Sequence, residues 1–215
     1  MTTHVIALAA SKGGVGKSTL AAALAVRAAK DSDKVALLDW EPQRSLTLWW
    51  VLRGKPNNPK LVRDDADPVD AVATLRADGA EWVFIDGPPS GMDEITRAIE
   101  AADFVVVPVQ ASIFDVAAVK DVADLCIQAD RPFAFVINAA DPRRKALMAS
   151  AIAALEKSGP VLAEQVQDRA AYVSALNKGK TGPEHPDAKQ AKEARAEIDA
   201  LWGAVKRRAM KARAR

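Results

Sequence analysis

The sequence contains very little cysteine and histidine. Of 215 residues, one is cysteine and two are histidine. Cys126 cannot form a disulfide within the chain, and we expect it to be buried in the apolar pattern of a helix, as suits a cytoplasmic protein. His4 and His185 are too few for a histidine-based metal cluster, and they argue against a Ser–His–Asp triad. The chemistry of this chain is therefore expected to depend on other residue types.

Long apolar runs and a targeting signal are also missing. No stretch of 18 or more apolar residues occurs, so no membrane-spanning helix is predicted. The first ten residues lack a basic segment, and we interpret them as a strand rather than a signal peptide. A hydrophobic content of 49% and a charged content of 27% are ordinary for a globular protein. The length suits one domain, which we expect to span residues 1–215.

A glycine-rich string stands between an apolar run and an alanine-rich helical pattern near the start of the chain. Strand, glycine-rich turn and helix are the context of a phosphate-binding loop. The glycines allow a tight turn whose N–H groups face phosphate oxygens, and the helix N-terminus adds its positive dipole end. The string consists of Lys12, Gly13, Gly14, Val15, Gly16, Lys17, Ser18 and Thr19. It predicts that Lys17 binds the β- and γ-phosphates of ATP and that Ser18 ligates Mg²⁺.

Apolar runs and helical patterns alternate along the chain, which predicts an α/β fold. We expect a single-domain P-loop NTPase fold with a mostly parallel, twisted sheet and helices on both faces. The predicted strands are residues 5–10, 35–39, 82–86, 104–109, 133–137 and, less strongly, 161–166. The predicted helices are residues 19–30, 45–53, 69–77, 93–102, 113–129, 144–157 and a long terminal helix over 187–210. Residues 54–67 and 179–186 are predicted to be loops because they are rich in Pro, Gly and polar residues.

Positive charge is concentrated at the end of the chain. The last twelve residues hold six basic residues and no acid, whereas the remainder carries 24 basic and 28 acidic residues. The six are Lys206, Arg207, Arg208, Lys211, Arg213 and Arg215. We expect the segment 187–215 to form a basic C-terminal helix and tail. A basic end on a slightly acidic body suggests a polyanionic partner, either nucleic acid or an anionic membrane, although a solvated tail is also compatible with the pattern.

The string at residues 12–19 resembles the deviant Walker A motif of the ParA/MinD family of ATPases. In that family the first lysine, here Lys12, reaches across a nucleotide-sandwich dimer. The segment from Asp39 to Gln43 resembles the family's D-x-D-P-Q segment, with Glu41 in place of the second aspartate. The resemblance implies that Asp39 lies near the γ-phosphate and polarises the attacking water.

The resemblance extends to four later segments. Residues 82–86 form an apolar run that ends in Asp86, a Walker B pattern whose acid holds Mg²⁺. Gly87-Pro88-Pro89 is similar to the switch II segment, with glycine at the position that is usually threonine. Asp103 lies in an A-A-D segment and is expected to connect elements without a catalytic role. Asn138 matches the residue that contacts adenine in the family.

Taken together, the motifs predict a slow ATPase that uses Mg²⁺, forms a homodimer with ATP and is stimulated by a ParB-type or other adaptor protein. Most similar are the small ParA-type ATPases, which implies partition of a plasmid or chromosome, or positioning of another cargo, with non-specific DNA binding and a cytoplasmic, nucleoid-associated location. The alternative is a MinD-like ATPase whose C-terminal helix lies on a membrane. The membrane alternative is weaker because bulky apolar residues do not alternate with the terminal basic ones. A metabolic P-loop enzyme is a third, less favoured possibility.

Trp49 and Trp50 leave two interpretations open. They could form an exposed contact patch, or they could pack against the sheet, which is the more common outcome for tryptophan.

Overall fold

The computed structural model describes residues 2–62, 67–111 and 113–213, with the backbone alone for residues 113–118. Within this part of the chain, six strands form one parallel sheet in the order β3-β2-β4-β1-β5-β6. This confirms the predicted α/β fold with a parallel sheet. The strands are β1 (His4–Leu8), β2 (Val35–Asp39), β3 (Lys60–Val62), β4 (Trp82–Asp86), β5 (Phe104–Val109) and β6 (Phe133–Ile137).

Helices cover both faces of the sheet. The helices are α1 (Lys17–Ala28), α2 (Ser45–Leu52), α3 (Pro68–Ala77), α4 (Met92–Ala101), α5 (Ile113–Gln128), α6 (Lys145–Leu155), α7 (Ala170–Leu176) and α8 (Ala188–Arg213). Side chains alternate along each strand, so that Ile6 and Leu8 contribute to one apolar core and Val5 and Ala7 to the other. The first core includes residues of α1, α2, α7 and α8, and the second includes residues of α3 to α6.

Two expectations about strands were wrong. Residues 60–62, expected to be part of a loop, form β3 at the sheet edge, because a three-residue strand is too short to show an alternating pattern. Residues 161–166 do not form a strand. Val161 makes a single parallel bridge with Phe135 instead, and Gln167, just after the segment, makes another with Ala140. The sequence also gave no signal for α7, whose seven residues cover less than two helical turns.

The long terminal helix exists, and its apolar face is buried. It was expected over residues 187–210 and spans Ala188–Arg213, with the Asp187 carboxylate accepting from the Gln190 N–H at 2.9 Å as a cap. Trp202 is fully buried, with its ring 4.7 Å from Trp82 and 5.9 Å from Phe84 between centroids. The helix is therefore an integral layer of the core.

The expectation that Cys126 is buried in a helix is confirmed. Cys126 is fully buried in α5, and burial raises the pKa of its thiol to about 12. In the described residues, none of the helices is both long and apolar enough to span a bilayer.

Replacing Trp202 with alanine should lower the free energy of unfolding by about 3–5 kcal/mol, because it removes a large side chain from a site that cannot collapse. Urea denaturation followed by circular dichroism would measure the change. Met210→Ala in the same helix is the matched control, since Met210 is 49% exposed and its removal should cost less than about 0.5 kcal/mol. Equal losses in the two variants would contradict the assignment of α8 to the core.

Candidate functional site

The glycine-rich loop connects β1 to α1 and presents backbone N–H groups at the start of that helix. Gly14 and Gly16 have φ angles of 78° and 96°, in the left-handed region that residues with a side chain rarely adopt. Gly16 is the residue that caps α1. The first N–H groups of α1 have no partner within the helix, so they are available to an anion such as phosphate.

Asn138 lies behind the phosphate-binding loop and holds its backbone. Its Nδ2 donates to the Val15 carbonyl at 2.7 Å, and a Cβ on Gly16 would stand 2.2 Å from that same Nδ2. The side chain thus fixes the loop and requires glycine at position 16. Its contact with adenine stays a prediction.

Lys17 is buried at the centre of the site. Its side chain is 6% exposed, and Nζ donates to the Lys12 carbonyl at 3.4 Å. Burial lowers the pKa of Lys17, while the negative charges of Asp86 and Glu41 act in the opposite direction. A buried ammonium with one long hydrogen bond is well suited to take up a phosphate oxygen.

The Asp86 carboxylate is fully buried at the end of β4, beside β1 and β2. The sheet register places it opposite Asp39, and neither of its oxygens has a hydrogen-bond partner of normal geometry among the described residues. The pKa of Asp86 is raised to about 7 as the net result of several effects. Burial raises it most, the nearby Ser18 hydroxyl and Lys17 ammonium lower it, and the charges of Asp39 and Glu41 raise it. Two unpartnered carboxylate oxygens beside a hydroxyl fit a hard cation such as Mg²⁺.

The described residues contain no group of three or more His, Cys, Asp or Glu side chains that could hold a metal ion. Magnesium keeps several waters and usually takes only one or two protein ligands together with phosphates. The assignment of Ser18 and Asp86 to a metal that arrives with a nucleotide therefore stays a prediction.

Asp39 is also fully buried and is held by the start of α2. Its Oδ2 accepts from the Thr47 N–H at 2.7 Å and from the Thr47 Oγ1 at 2.5 Å. Its Oδ1 accepts from the Glu41 N–H at 3.3 Å, and its backbone carbonyl accepts from Arg44 Nη1 at 2.7 Å. The sequence placed Asp39 at the site, but it gave no sign of Thr47, which lies eight residues further along the chain.

A cavity of about 490 Å³ opens beside the loop, between α2 and the end of α7. Glu41 lines it and is buried, and its Oε2 has no hydrogen-bond partner within the part of the chain that the structure describes. Trp49 lines it as well and is 3% exposed, so this tryptophan packs inside the fold, with Nε1 donating to the Lys180 carbonyl at 3.0 Å. The cavity is thus lined by the glycine-rich loop and by an apolar wall that includes Leu48 and Leu52.

One residue of the loop and one beside it complete the site. Lys12 is exposed at the beginning of the loop. Gln110 Nε2 donates to the Gly14 carbonyl at 3.0 Å and holds the loop from the end of β5. Gln110 was not among the predicted site residues, although its place directly after a strand, at the carboxyl edge of the sheet, was a signal for it.

Comparison with known families gives a clear result. Residues 6–182 match the model of the CobQ/CobB/MinD/ParA nucleotide binding domain. The chain belongs to this family. The resemblance to ParA and MinD that the loop motif indicated is therefore confirmed, and with it a nucleotide-binding P-loop fold.

Two curated relatives place the chain near the ParA-type members of the family. It is 35% identical over 114 residues to Protein ParA of Rhizobium radiobacter, a match that covers 52% of this chain and 50% of ParA. It is 30% identical over 184 residues to the maintenance of carboxysome distribution protein A of Halothiobacillus neapolitanus, covering 81% of this chain and 84% of that protein. The chain thus spans about half the length of this ParA.

A solved structure agrees on the fold. The MinD cell division protein of Aquifex aeolicus superposes with a TM-score of 0.72 and 19% sequence identity, over 94% of this chain and 98% of MinD. At this identity the likeness supports the fold of the family member and carries no more specific argument.

The burial of Asp86 predicts that Asp86→Asn stabilises the protein when nucleotide and Mg²⁺ are absent. The folded-state pKa is raised from 3.8 to about 7, so the native carboxylate destabilises the fold increasingly as pH rises through that interval and fully above it. The substitution should raise the free energy of unfolding by about 1–3 kcal/mol at pH 8 and by clearly less at pH 5. Chemical denaturation at both pH values would measure this.

Asp93→Asn, at an exposed position in the first turn of α4, is the control and should show no such pH-dependent gain. If Asp86→Asn raises the free energy of unfolding equally at pH 5 and pH 8, burial does not raise the pKa of Asp86 as described.

Proposed function

We propose that the chain is a Mg²⁺-dependent ATPase that dimerises with ATP and partitions DNA or positions another cargo. The observation that carries this proposal is the group of buried charges around the loop, in which Lys17 faces Asp86 and Glu41 while Asp39 ends the adjacent strand. Such a group is costly unless a ligand compensates it, and a nucleotide with its metal would do so.

Each side chain has a defined role in this proposal. Lys17 and the N–H groups of residues 13–19 bind the phosphates, and Ser18 and Asp86 hold Mg²⁺. The metal, when bound, neutralises charge that develops on the phosphates. Asp39 orients the attacking water, since phosphoryl transfer to water depends more on positioning than on a strong base.

Lys12 would act across a dimer. It is exposed at the beginning of the loop, while Lys17 fills the inner position and bonds to the Lys12 carbonyl. A lysine supplied by a second subunit would neutralise phosphate charge as an arginine finger does in other NTPases. The exposure of Lys12 supports ATP-dependent dimerisation. The proposal includes slow hydrolysis that an adaptor protein of the ParB type would stimulate.

The C-terminal basic residues support a DNA-binding role and a nucleoid-associated location. Arg207, Arg208 and Lys211 are exposed on α8. Lys206 is paired with Asp31 at 3.3 Å and Arg213 with Asp103 at 3.2 Å, so these two contribute less free charge than the sequence suggested. Arg215 lies outside the described residues. Exposed arginines and lysines on one helix would contact DNA phosphates without reading bases.

The membrane alternative is less well supported by the packing of α8. A helix that lies on a bilayer needs an apolar face free to enter it. In α8 the large apolar residues Ile198, Leu201, Trp202 and Val205 are buried in the fold, and Met210 is the exposed one. The DNA-binding proposal therefore takes precedence, and the membrane proposal remains its competitor in the test below.

Lys12→Ala should bind ATP but lose hydrolysis, because the charge supplied to the partner's phosphates is removed. Asp39→Ala should hydrolyse poorly and accumulate as an ATP-bound dimer of the 22.9 kDa subunit. Light scattering with ATP and Mg²⁺, together with a phosphate-release assay, would measure both effects. Lys30→Ala, at an exposed lysine just after α1, is the control. Asp39→Ala that stays monomeric would count against the dimer proposal.

In the ATP state the protein should bind duplex DNA of any sequence, and the affinity should fall steeply with salt, by a log–log slope of about −0.9 per phosphate contacted. Replacing Arg207, Arg208 and Lys211 together with glutamine should weaken binding and flatten that slope. Fluorescence anisotropy over a salt series would measure it.

Replacement of the exposed residues Lys55, Lys60 and Lys157 by glutamine removes the same charge elsewhere and should change binding less. The two proposals are compared with ATP present in both assays. If the protein co-sediments with anionic vesicles and does not bind DNA, the DNA proposal is rejected and the membrane alternative is favoured.

A further inference from the structure

The Asp39 carboxylate makes unusually specific contacts with one residue. Thr47 donates twice to a single oxygen, Oδ2, from its N–H at 2.7 Å and from its Oγ1 at 2.5 Å. The N–H belongs to the first turn of α2, where backbone donors have no partner within the helix. Asp39 thus caps the helix through its side chain from a position on the preceding strand.

The chain between these two residues is folded to maintain that contact. Arg44 adopts a left-handed conformation with φ of 56° and bonds both to the Glu41 carbonyl, through its N–H at 2.9 Å, and to the Asp39 carbonyl, through Nη1 at 2.7 Å. Leu46 and Trp49 bury the inner face of α2 in the core. The first turn of α2 is therefore fixed over the end of β2.

The contacts distinguish the two oxygens of the carboxylate. Oδ2 is occupied by both Thr47 donors, whereas the contact described for Oδ1 is the longer one from the Glu41 N–H at 3.3 Å. A carboxylate oxygen has two accepting lone pairs, so Oδ1 keeps the greater capacity to accept from a water. The hydroxyl of Thr47 also helps to fix the rotation of the carboxylate.

We propose that Thr47 is a positioning residue that presents Oδ1 of Asp39 to the attacking water of ATP hydrolysis. The inference rests on the proposed ATPase function and adds to it a residue outside the phosphate-binding loop. The role of Thr47 is limited to orientation: Thr47 donates to Oδ2, and Oδ1 accepts a hydrogen bond from the water. The water oxygen then bonds to the γ-phosphorus as the bond from that phosphorus to the β–γ bridging oxygen breaks, ADP leaves, and the water's proton passes to the released phosphate. A residue that only capped α2 would affect stability and would leave the chemical step unchanged.

The test compares Thr47→Val, which keeps the shape and the N–H but removes the hydroxyl donor, with Thr47→Ser, which keeps that donor. Hydrolysis of Mg·ATP is followed in single turnover with enzyme in excess, and ATP affinity is measured separately by calorimetry. Thr47→Val should slow the chemical step about tenfold or more and change ATP affinity less than about threefold. Thr47→Ser should stay within about threefold of the native rate.

Thr74→Val is the matched control, because the Thr74 hydroxyl on α3 bonds at 3.1 Å to the Asp70 carbonyl of its own helix, at an exposed position.

With Asp39→Asn already present, adding Thr47→Val should cause little further loss of hydrolysis rate, since both changes act through one carboxylate. A native hydrolysis rate in Thr47→Val would overturn the inference. Equal losses of rate in Thr47→Val and Thr47→Ser, in proportion to lowered melting temperatures, would overturn it as well. A native protein that binds Mg·ATP without hydrolysing it would instead contradict the proposed function.

Discussion

The balance of buried charge at the carboxyl edge of the sheet organises this molecule. Lys17, Asp86, Glu41 and Asp39 are all buried there, and Lys17 and Glu41 line the adjoining cavity. Because charges of both signs are costly to bury unless they are paired, the fold holds each of them in place from a different element. Asp86 is the least compensated, since both of its oxygens lack a partner among the described residues. This arrangement would suit a ligand that brings a cation and several phosphate oxygens.

The surrounding contacts keep this region rigid. Asn138 and Gln110 each donate to a carbonyl of the phosphate-binding loop, from the ends of β6 and β5. Thr47 performs the comparable task for Asp39 from α2. Amide and hydroxyl side chains suit this work because they bind backbone or carboxylate groups without adding charge to an already charged site. A nucleotide bound to the loop would therefore meet a preorganised surface on which little rearrangement is required.

Much of this arrangement could be predicted from the sequence, because the decisive signals are local. The glycine string of the loop and the strands that end in Asp39 and Asp86 are continuous patterns, and the parallel-sheet rule brings them to one edge. The contacts of Asn138, Gln110 and Thr47 could not be predicted in the same way, since they join residues through the register of the sheet or the packing of a helix. For the same reason the sequence suggested more free charge on α8 than remains once Lys206 and Arg213 find their acidic partners.

Calorimetric titration of Mg·ATP into the native protein and into Lys17→Ala would show whether the buried ammonium and carboxylates form a nucleotide site. We expect saturable binding to the native protein that weakens strongly when Mg²⁺ is chelated. Lys17→Ala should lose ATP binding, because the substitution removes a charge-assisted contact to phosphate. Circular dichroism would check that this variant is still folded. Unchanged ATP affinity in a folded Lys17→Ala variant would contradict the account.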